Sequence, residues 1–152
     1  MILMLDFDGV LHPDPCPGGD LLFCRLPVLE EVLREFPAVE IVITSTWRQT
    51  RSLSELKEFF SPDIAQRIIG ATPNWQDHAE LAEQIGPSYI RSVEIEAWLR
   101  IRGQPWLQWL ALDDKRHWFR PFCENLVLSD PATGLTASTA LELRRRFTME
   151  KI

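Results

Sequence analysis

Ile2-Leu3-Met4-Leu5-Asp6-Phe7-Asp8-Gly9-Val10-Leu11 decides how the chain is read. Four apolar residues run without alternation and stop at an acidic pair, the pattern of a short parallel strand covered on both faces. A helix would need more length. A turn at Gly9 then brings Asp6 and Asp8 to one cavity.

Outward from this stretch, Leu11 to Gly19 holds three prolines and two glycines and reads as an irregular surface loop. Pro27 suits a first helical turn, with Leu29, Val32, Leu33 and Phe36 at helical spacing and Pro37 as the stop. Glu40-Ile41-Val42-Ile43-Thr44 reads as a second buried strand, Ser52 as the cap of a helix through about Phe60, and Ser61-Pro62 as the start of another. Arg67 to Gly70 is a short strand, and Ala71 to Ser88 is a weakly patterned connection. Val93 to Arg102 is amphipathic and stops at Gly103. Trp106 to Leu112 leads as a strand into Asp113-Asp114, Leu126 to Leu128 is a further strand, and Thr136 caps a helix through Phe147. Strands alternating with helices give an α/β fold with a central parallel sheet and helices on both faces. In such sheets ligands bind beyond the carboxyl ends of the strands. Three of these ends carry Asp6/Asp8, Thr44/Ser45 and Asp113/Asp114.

The bulk composition sets limits on what such a site serves. The chain has 152 residues, enough for one domain, and its 45% hydrophobic and 25% charged residues match soluble globular proteins. A net charge of −6 argues against broad nonspecific binding to nucleic acid, without excluding a local basic groove. Cys16, Cys24 and Cys123 make neither a disulfide framework nor a zinc motif, so reduced thiols in a cytoplasmic setting are expected. Met1 to Leu5 is too short for a signal peptide, and no apolar run is long enough to span a membrane.

Clustered carboxylates without a His or Cys group select a hard divalent cation, Mg2+, with Asp113 and Asp114 as ligands beside Asp6 and Asp8. With that charge balanced, the Asp6 carboxylate is the candidate nucleophile towards phosphorus. Asp8 is the candidate general acid and base, a role worth typically about 10²–10⁴-fold. Hydroxyls and amides of Thr44 and Ser45 are candidates to bind the phosphoryl oxygens, with Thr44 preferred as the first polar residue after the apolar run. Arg91 is the leading cation for the developing charge, with Lys57 and Lys115 behind it.

Taken in order, these segments resemble the haloacid dehalogenase (HAD) superfamily of phosphohydrolases. Asp6-Phe7-Asp8-Gly9-Val10-Leu11 resembles its first motif and Ile41 to Arg48 its second. Arg91 with its following helix resembles a third motif whose usual Lys is Arg here, and Ala111-Leu112-Asp113-Asp114 resembles the fourth. The likeness runs from Met1 to about Leu128, and the nearest subgroup is the small domains found alone in bacteria or fused within RNA-repair proteins. There the Thr46-Trp47-Arg48 run and Asp130 to Thr136 have counterparts.

The resemblance implies a Rossmann-like, three-layer αβα sandwich. It implies Asp6 as nucleophile and metal ligand, and Asp8 as acid/base residue and metal ligand through its carbonyl. Thr44 and Arg91 act on the phosphate, and Asp113 and Asp114 hold Mg2+. Gly9, Ser45 and Arg48 are expected around the phosphate, Arg48 because the 3′-phosphatase part of polynucleotide kinases carries an arginine just after its second motif.

Thirty-six positions separate Asp8 from Thr44 and 47 separate Thr44 from Arg91, and the elements already assigned fill both intervals. No cap domain is expected, and an open site favours nucleic-acid ends or nucleotides over sequestered metabolites. Two other readings stand beside this one: a small-metabolite phosphatase with the loop from His12 to Gly19 as lid, and a non-catalytic RNA- or protein-binding module. Trp47, Trp75, Trp106 and Trp118 are either core or base-stacking residues. His12, His78 and His117 form no cluster, and Arg144-Arg145-Arg146 suits a solvated helix C-terminus better than a phosphate contact.

Overall fold

In the computed structural model, which describes residues 1–78 and 87–149, five parallel strands form one sheet in the order β3-β2-β1-β4-β5. These are β1 (Ile2–Leu5), β2 (Glu40–Ile43), β3 (Ile68–Ala71), β4 (Trp109–Asp113) and β5 (Leu126–Leu128). β1 lies central because every one of its side chains is apolar and buried. Leu5 stands level with Ile43 on one side and Leu112 on the other. Pairing runs one step further, with Asp6 N–H donating to the Leu112 carbonyl at 3.1 Å and Thr44 N–H to the Leu5 carbonyl at 2.8 Å. The polar residues after β1, β2 and β4 are therefore held side by side.

Leu3 and Leu5 face one core layer, Ile2 and Met4 the other, as the period of a strand requires. The first layer is covered by α1 (Leu26–Glu35), α2 (Leu53–Lys57), α3 (Pro62–Ala65) and α5 (Ala137–Met149), the second by α4 (Ile90–Ile101). The result is the three-layer αβα sandwich expected from the sequence.

Local chemistry starts and stops these helices. Pro27 sits in the first turn of α1, and Ser52 with Glu55 forms a capping box on α2. Gly103, at φ +69°, ends the run after α4. Arg144 pairs with Glu35, Arg145 with Glu142, and Arg146 donates to the Glu124 carbonyl, so this triplet fastens α5 rather than offering free cations.

Some boundaries differ from expectation. β4 starts at Trp109 rather than Trp106, whose side chain lies in solvent beyond the sheet. α2 ends at Lys57, short of Phe60. α4 begins at Ile90, three residues before the amphipathic stretch, and this places Arg91 in its first turn. Part of the Ala71 to Ser88 connection, 79–86, lies outside the described residues.

Between β1 and β2 stand only a loop, the 3-10 turn Gly19–Leu21 and α1, with no cap inserted. Between Thr44 and Arg91 the described residues form α2, α3, β3 and short 3-10 turns. The three cysteines are free, and no described helix is long and apolar enough to cross a membrane.

Candidate active site

Beyond Asp6 the backbone folds over Phe7, whose ring enters the core while its carbonyl accepts from the N–H groups of Val10 and Leu11. Gly9 closes this turn at φ +71°, a conformation that costs a residue with a Cβ. The Ser129 hydroxyl, just past β5, donates to the Gly9 carbonyl at 2.7 Å. A Cβ at Gly9 would stand 2.4 Å from Asp114 Oδ2. Gly9, expected beside the phosphate, thus allows the β1 turn and Asp114 to approach. Gly9→Ala is expected to displace Asp114 and weaken cation binding at least ~10-fold, as isothermal titration with Mg2+ would read.

Asp6, Asp113 and Asp114 converge, with one oxygen from each lying within 4.8 Å of the others, and all three residues are buried. Burial, and then the charges of Asp113 and Asp114, raise the Asp6 carboxyl to about 7, although Arg91 opposes the rise. Burial also lifts Asp114 above the ordinary carboxylate range, with Lys115 opposing. Asp114 Oδ2 accepts from Lys115 Nζ at 2.7 Å, whereas its Oδ1 is buried without a donor. Three carboxylates, one with an unpartnered buried oxygen, fit a hard divalent cation with oxygen ligands.

Arg91 is buried among these acids. It donates through Nε to Asp113 Oδ2 at 2.9 Å, and through Nη1 to Glu94 Oε2 at 3.1 Å and to the Thr44 carbonyl. Its guanidinium lies 5.1 Å from the Trp118 ring centre. Burial works against this charge, but Asp6, Asp113 and Glu94 together outweigh it and hold the Arg91 pKa above its ordinary value. Nη2, 3.5 Å from Asp6 Oδ1, has no hydrogen-bond partner. This donor is available to an anion arriving at Asp6.

Arg48 is placed otherwise than its sequence position suggested. Its guanidinium donates to the carbonyls of Thr44, Ser45, Thr72 and Pro73 and pairs with Glu94 Oε1 at 2.6 Å. It ties the end of β2 to the segment after β3, giving a donor to the carbonyls of Thr72 and Pro73 as well as to those of Thr44 and Ser45. Arg48 does not line the acidic cavity, and Glu94, which the sequence reading passed over, is the buried carboxylate shared by both arginines.

Asp8 is not one of the three clustered acids, and its side chain has partners of its own. Its Oδ1 accepts from His12 Nε2 at 2.9 Å, and both of its oxygens lie 3.0–3.1 Å from Trp47 Nε1. His12 Nδ1 accepts from the Phe23 N–H at 3.3 Å, so the imidazole proton belongs on Nε2, facing Asp8. The His12 hydrogen bond, with help from Trp47, holds Asp8 below the ordinary carboxylate range. Trp47 is packed edge-on against Phe7, Phe23 and Phe59, which fixes its N–H towards Asp8. Trp47→Phe keeps most of the packing and removes that donor. It is expected to lower kcat about 10-fold with the fold retained, read by steady-state turnover beside circular dichroism.

These residues surround a cavity of about 140 Å³ lined by Asp6, Asp8, Asp14, Thr46, Arg91, Lys115 and Trp118. Thr44 and Ser45 are buried at the end of β2, and the hydroxyl residue lining the cavity is Thr46. Asp14 comes from the Pro-rich loop and accepts from Lys115 Nζ at 3.3 Å. Lys57, on α2, does not line it. A more apolar cavity of about 280 Å³ is lined, among the described residues, by Met1, Phe36, Phe147 and neighbours whose side chains carry no acid or base.

A parallel sheet with Asp6 and Asp8 after its central strand, Arg91 on a following helix and paired aspartates at the end of β4 defines a HAD-type domain. The chain belongs to the family of HAD domains in Swiss Army Knife RNA repair proteins, whose profile matches residues 2–140. Comparison with curated proteins and with solved structures gives no match.

Proposed function

We propose that this chain is a Mg2+-dependent phosphomonoester hydrolase acting through an aspartyl-phosphate on Asp6. The observation that carries the reading is one small cavity lined by Asp6, Asp8 and Arg91, where Arg91 Nη2 stands near Asp6 with no hydrogen bond of its own. Asp6, Asp113 and Asp114, with the Asp8 carbonyl, would hold the cation, which when bound offsets the repulsion between these acids and an anionic phosphate.

Asp6 attacks phosphorus, and the bond from phosphorus to the leaving oxygen breaks. Asp8 supplies the proton that makes the leaving group an alcohol. Water then attacks the phosphorus of the acyl phosphate, Asp8 takes its proton, and Asp6 is regenerated as inorganic phosphate leaves. Arg91 Nη2 stabilises the charge on the phosphoryl oxygens, and Thr46 adds a hydroxyl at the rim. The His12 and Trp47 donors favour ionised Asp8, which suits the hydrolytic half of the cycle.

The family and the absence of a cap between β1 and β2 support a phosphate at a nucleic-acid end, or on a nucleotide, as substrate. Three free cysteines support a reducing, cytoplasmic setting. A second reading, a phosphatase of small phosphoesters with the loop from His12 to Gly19 as lid, draws on Asp14 of that loop lining the cavity.

The test is phosphate release from an aryl phosphate, from nucleotides and from 3′- and 5′-phosphorylated oligonucleotides, with Mg2+ or with chelator. Mg2+-dependent release with oligonucleotides preferred supports end processing, and preference for small phosphoesters supports the second reading. Folded protein that binds Mg2+ and releases phosphate from none of them overturns the phosphatase.

A further inference from the structure

A groove of about 350 Å³, lined by Asp8, Thr46, Trp47, Gln49, Thr50 and Arg51, opens beside the acidic cavity. The two share Asp8 and Thr46, so they meet at the residue that the phosphatase reading makes the general acid. On the other side the cavity is walled by Trp118 and by Lys115, which pairs with Asp14 and Asp114. A leaving group too large for the cavity therefore has this groove beside it.

The chemistry of the groove is unlike that of the cavity. Arg51 lies 5.3 Å from the Trp47 ring centre and 5.7 Å from that of Phe59. Among the described residues its guanidinium makes no hydrogen bond or close ion pair, and only the more distant charge of Glu55 acts on it, whereas Arg48 and Arg91 are met directly by Glu94 and Asp113. Three short polar side chains, Thr46, Gln49 and Thr50, stand exposed along the same turn. A guanidinium supported on aromatic rings offers a flat cation to a nucleobase or a phosphodiester, and the hydroxyls and amide suit a sugar–phosphate backbone.

We infer that the groove from Asp8 to Arg51 is the leaving-group subsite, and that it binds the terminal nucleotides of a single-stranded nucleic acid. The inference rests on the phosphatase reading for its direction, because that reading puts the scissile phosphate at Asp6. Arg51 engages the first base or internucleotide phosphate, while Thr46, Gln49 and Thr50 border the sugar. The chain's net charge of −6 makes this local cation the feature that admits a polyanion.

The test measures binding without turnover: fluorescence anisotropy of labelled hydroxyl-ended pentanucleotides, RNA and DNA, with the parent protein, Arg51→Ala and Arg144→Ala. Arg144 pairs with Glu35 far along the chain, so its variant controls for the loss of one positive charge. Arg51→Ala is expected to weaken binding about 10-fold and to flatten its salt dependence, while Arg144→Ala binds as the parent does. Tighter RNA binding identifies contacts to the 2′-hydroxyl, and equal binding identifies backbone and base contacts alone.

Equal affinity of the parent and Arg51→Ala overturns the subsite. So does a parent protein that binds neither oligonucleotide yet releases phosphate from an aryl phosphate, and then the phosphatase reading stands alone. Arg51-dependent binding without phosphate release from any substrate retains the groove as a nucleic-acid site and overturns the phosphatase instead.

Discussion

Asp6→Asn is expected to abolish phosphate release, lowering kcat by on the order of 10⁴-fold or more, while making the protein more stable in chelator above pH 7. The loss follows from the proposed chemistry, since an amide in this position cannot form the acyl phosphate. The gain in stability follows from the surroundings of Asp6. Its carboxyl is raised from 3.8 to about 7, chiefly by burial and then by Asp113 and Asp114.

A carboxyl raised in the folded state keeps a proton that the unfolded chain would release, so its ionisation works against folding. The cost is absent below about pH 4, grows through the interval, and is complete above pH 7 at about 4 kcal/mol. Asp6→Asn removes this cost. In thermal melts with chelator its advantage over the parent should be largest at pH 8 and vanish near pH 4. Mg2+ should raise the parent's melting temperature at pH 8 more than that of the variant. Full turnover by Asp6→Asn would refute the nucleophile, and equal melting at pH 8 would refute the cost of ionising Asp6 in its buried, acidic surroundings.

Arg91→Ala is expected to cost about 3–5 kcal/mol of stability, the largest loss of any single side chain in the site. Its guanidinium is fully buried and stands among Asp6, Glu94 and Asp113, with a further bond to the Thr44 carbonyl. Truncation leaves those acids in the interior without their common counter-charge. Urea unfolding followed by tryptophan fluorescence would measure this, and a change below about 0.5 kcal/mol would contradict it.

Arg91→Lys separates holding the fold from holding the substrate. An ammonium keeps the charge but not the planar fork that reaches Asp113, Glu94 and Thr44 together. Partial recovery of stability with a raised KM for an aryl phosphate is the expected outcome. A lysine variant restored in stability, with kcat and KM like the parent's, would show that Nη2 does not act on the phosphate.

Features that depend on neighbours along the chain were legible without coordinates. The unbroken apolar run before Asp6, Pro27 at a helix start and Ser52 as a helix cap each report a local rule of sterics or capping, and each is found where expected. The alternation of strands and helices then limits the architecture, because right-handed crossovers put parallel strand ends on one edge. That is why Asp6, Thr44 and Asp113 could be grouped across the chain from sequence order.

What each side chain does at that edge was not legible, because it depends on which buried polar groups lack partners once the chain is folded. Arg48 follows the β2 motif as a phosphate-binding arginine would, yet four strand-end and loop carbonyls and Glu94 take its donors. Trp47 and His12 gave no local sign of a common partner, and only packing directs both of their N–H groups onto Asp8. Lys115 and Asp14 lie 101 positions apart and meet over the cavity. The amino-acid order by itself determined the strands, the helix starts and the carboxylates brought to one sheet edge, all consequences of short-range sterics and hydrophobic period. Tertiary structure alone decided which cations neutralise the interior and which, like Arg51, stay available, because burial leaves no polar group unpartnered without cost.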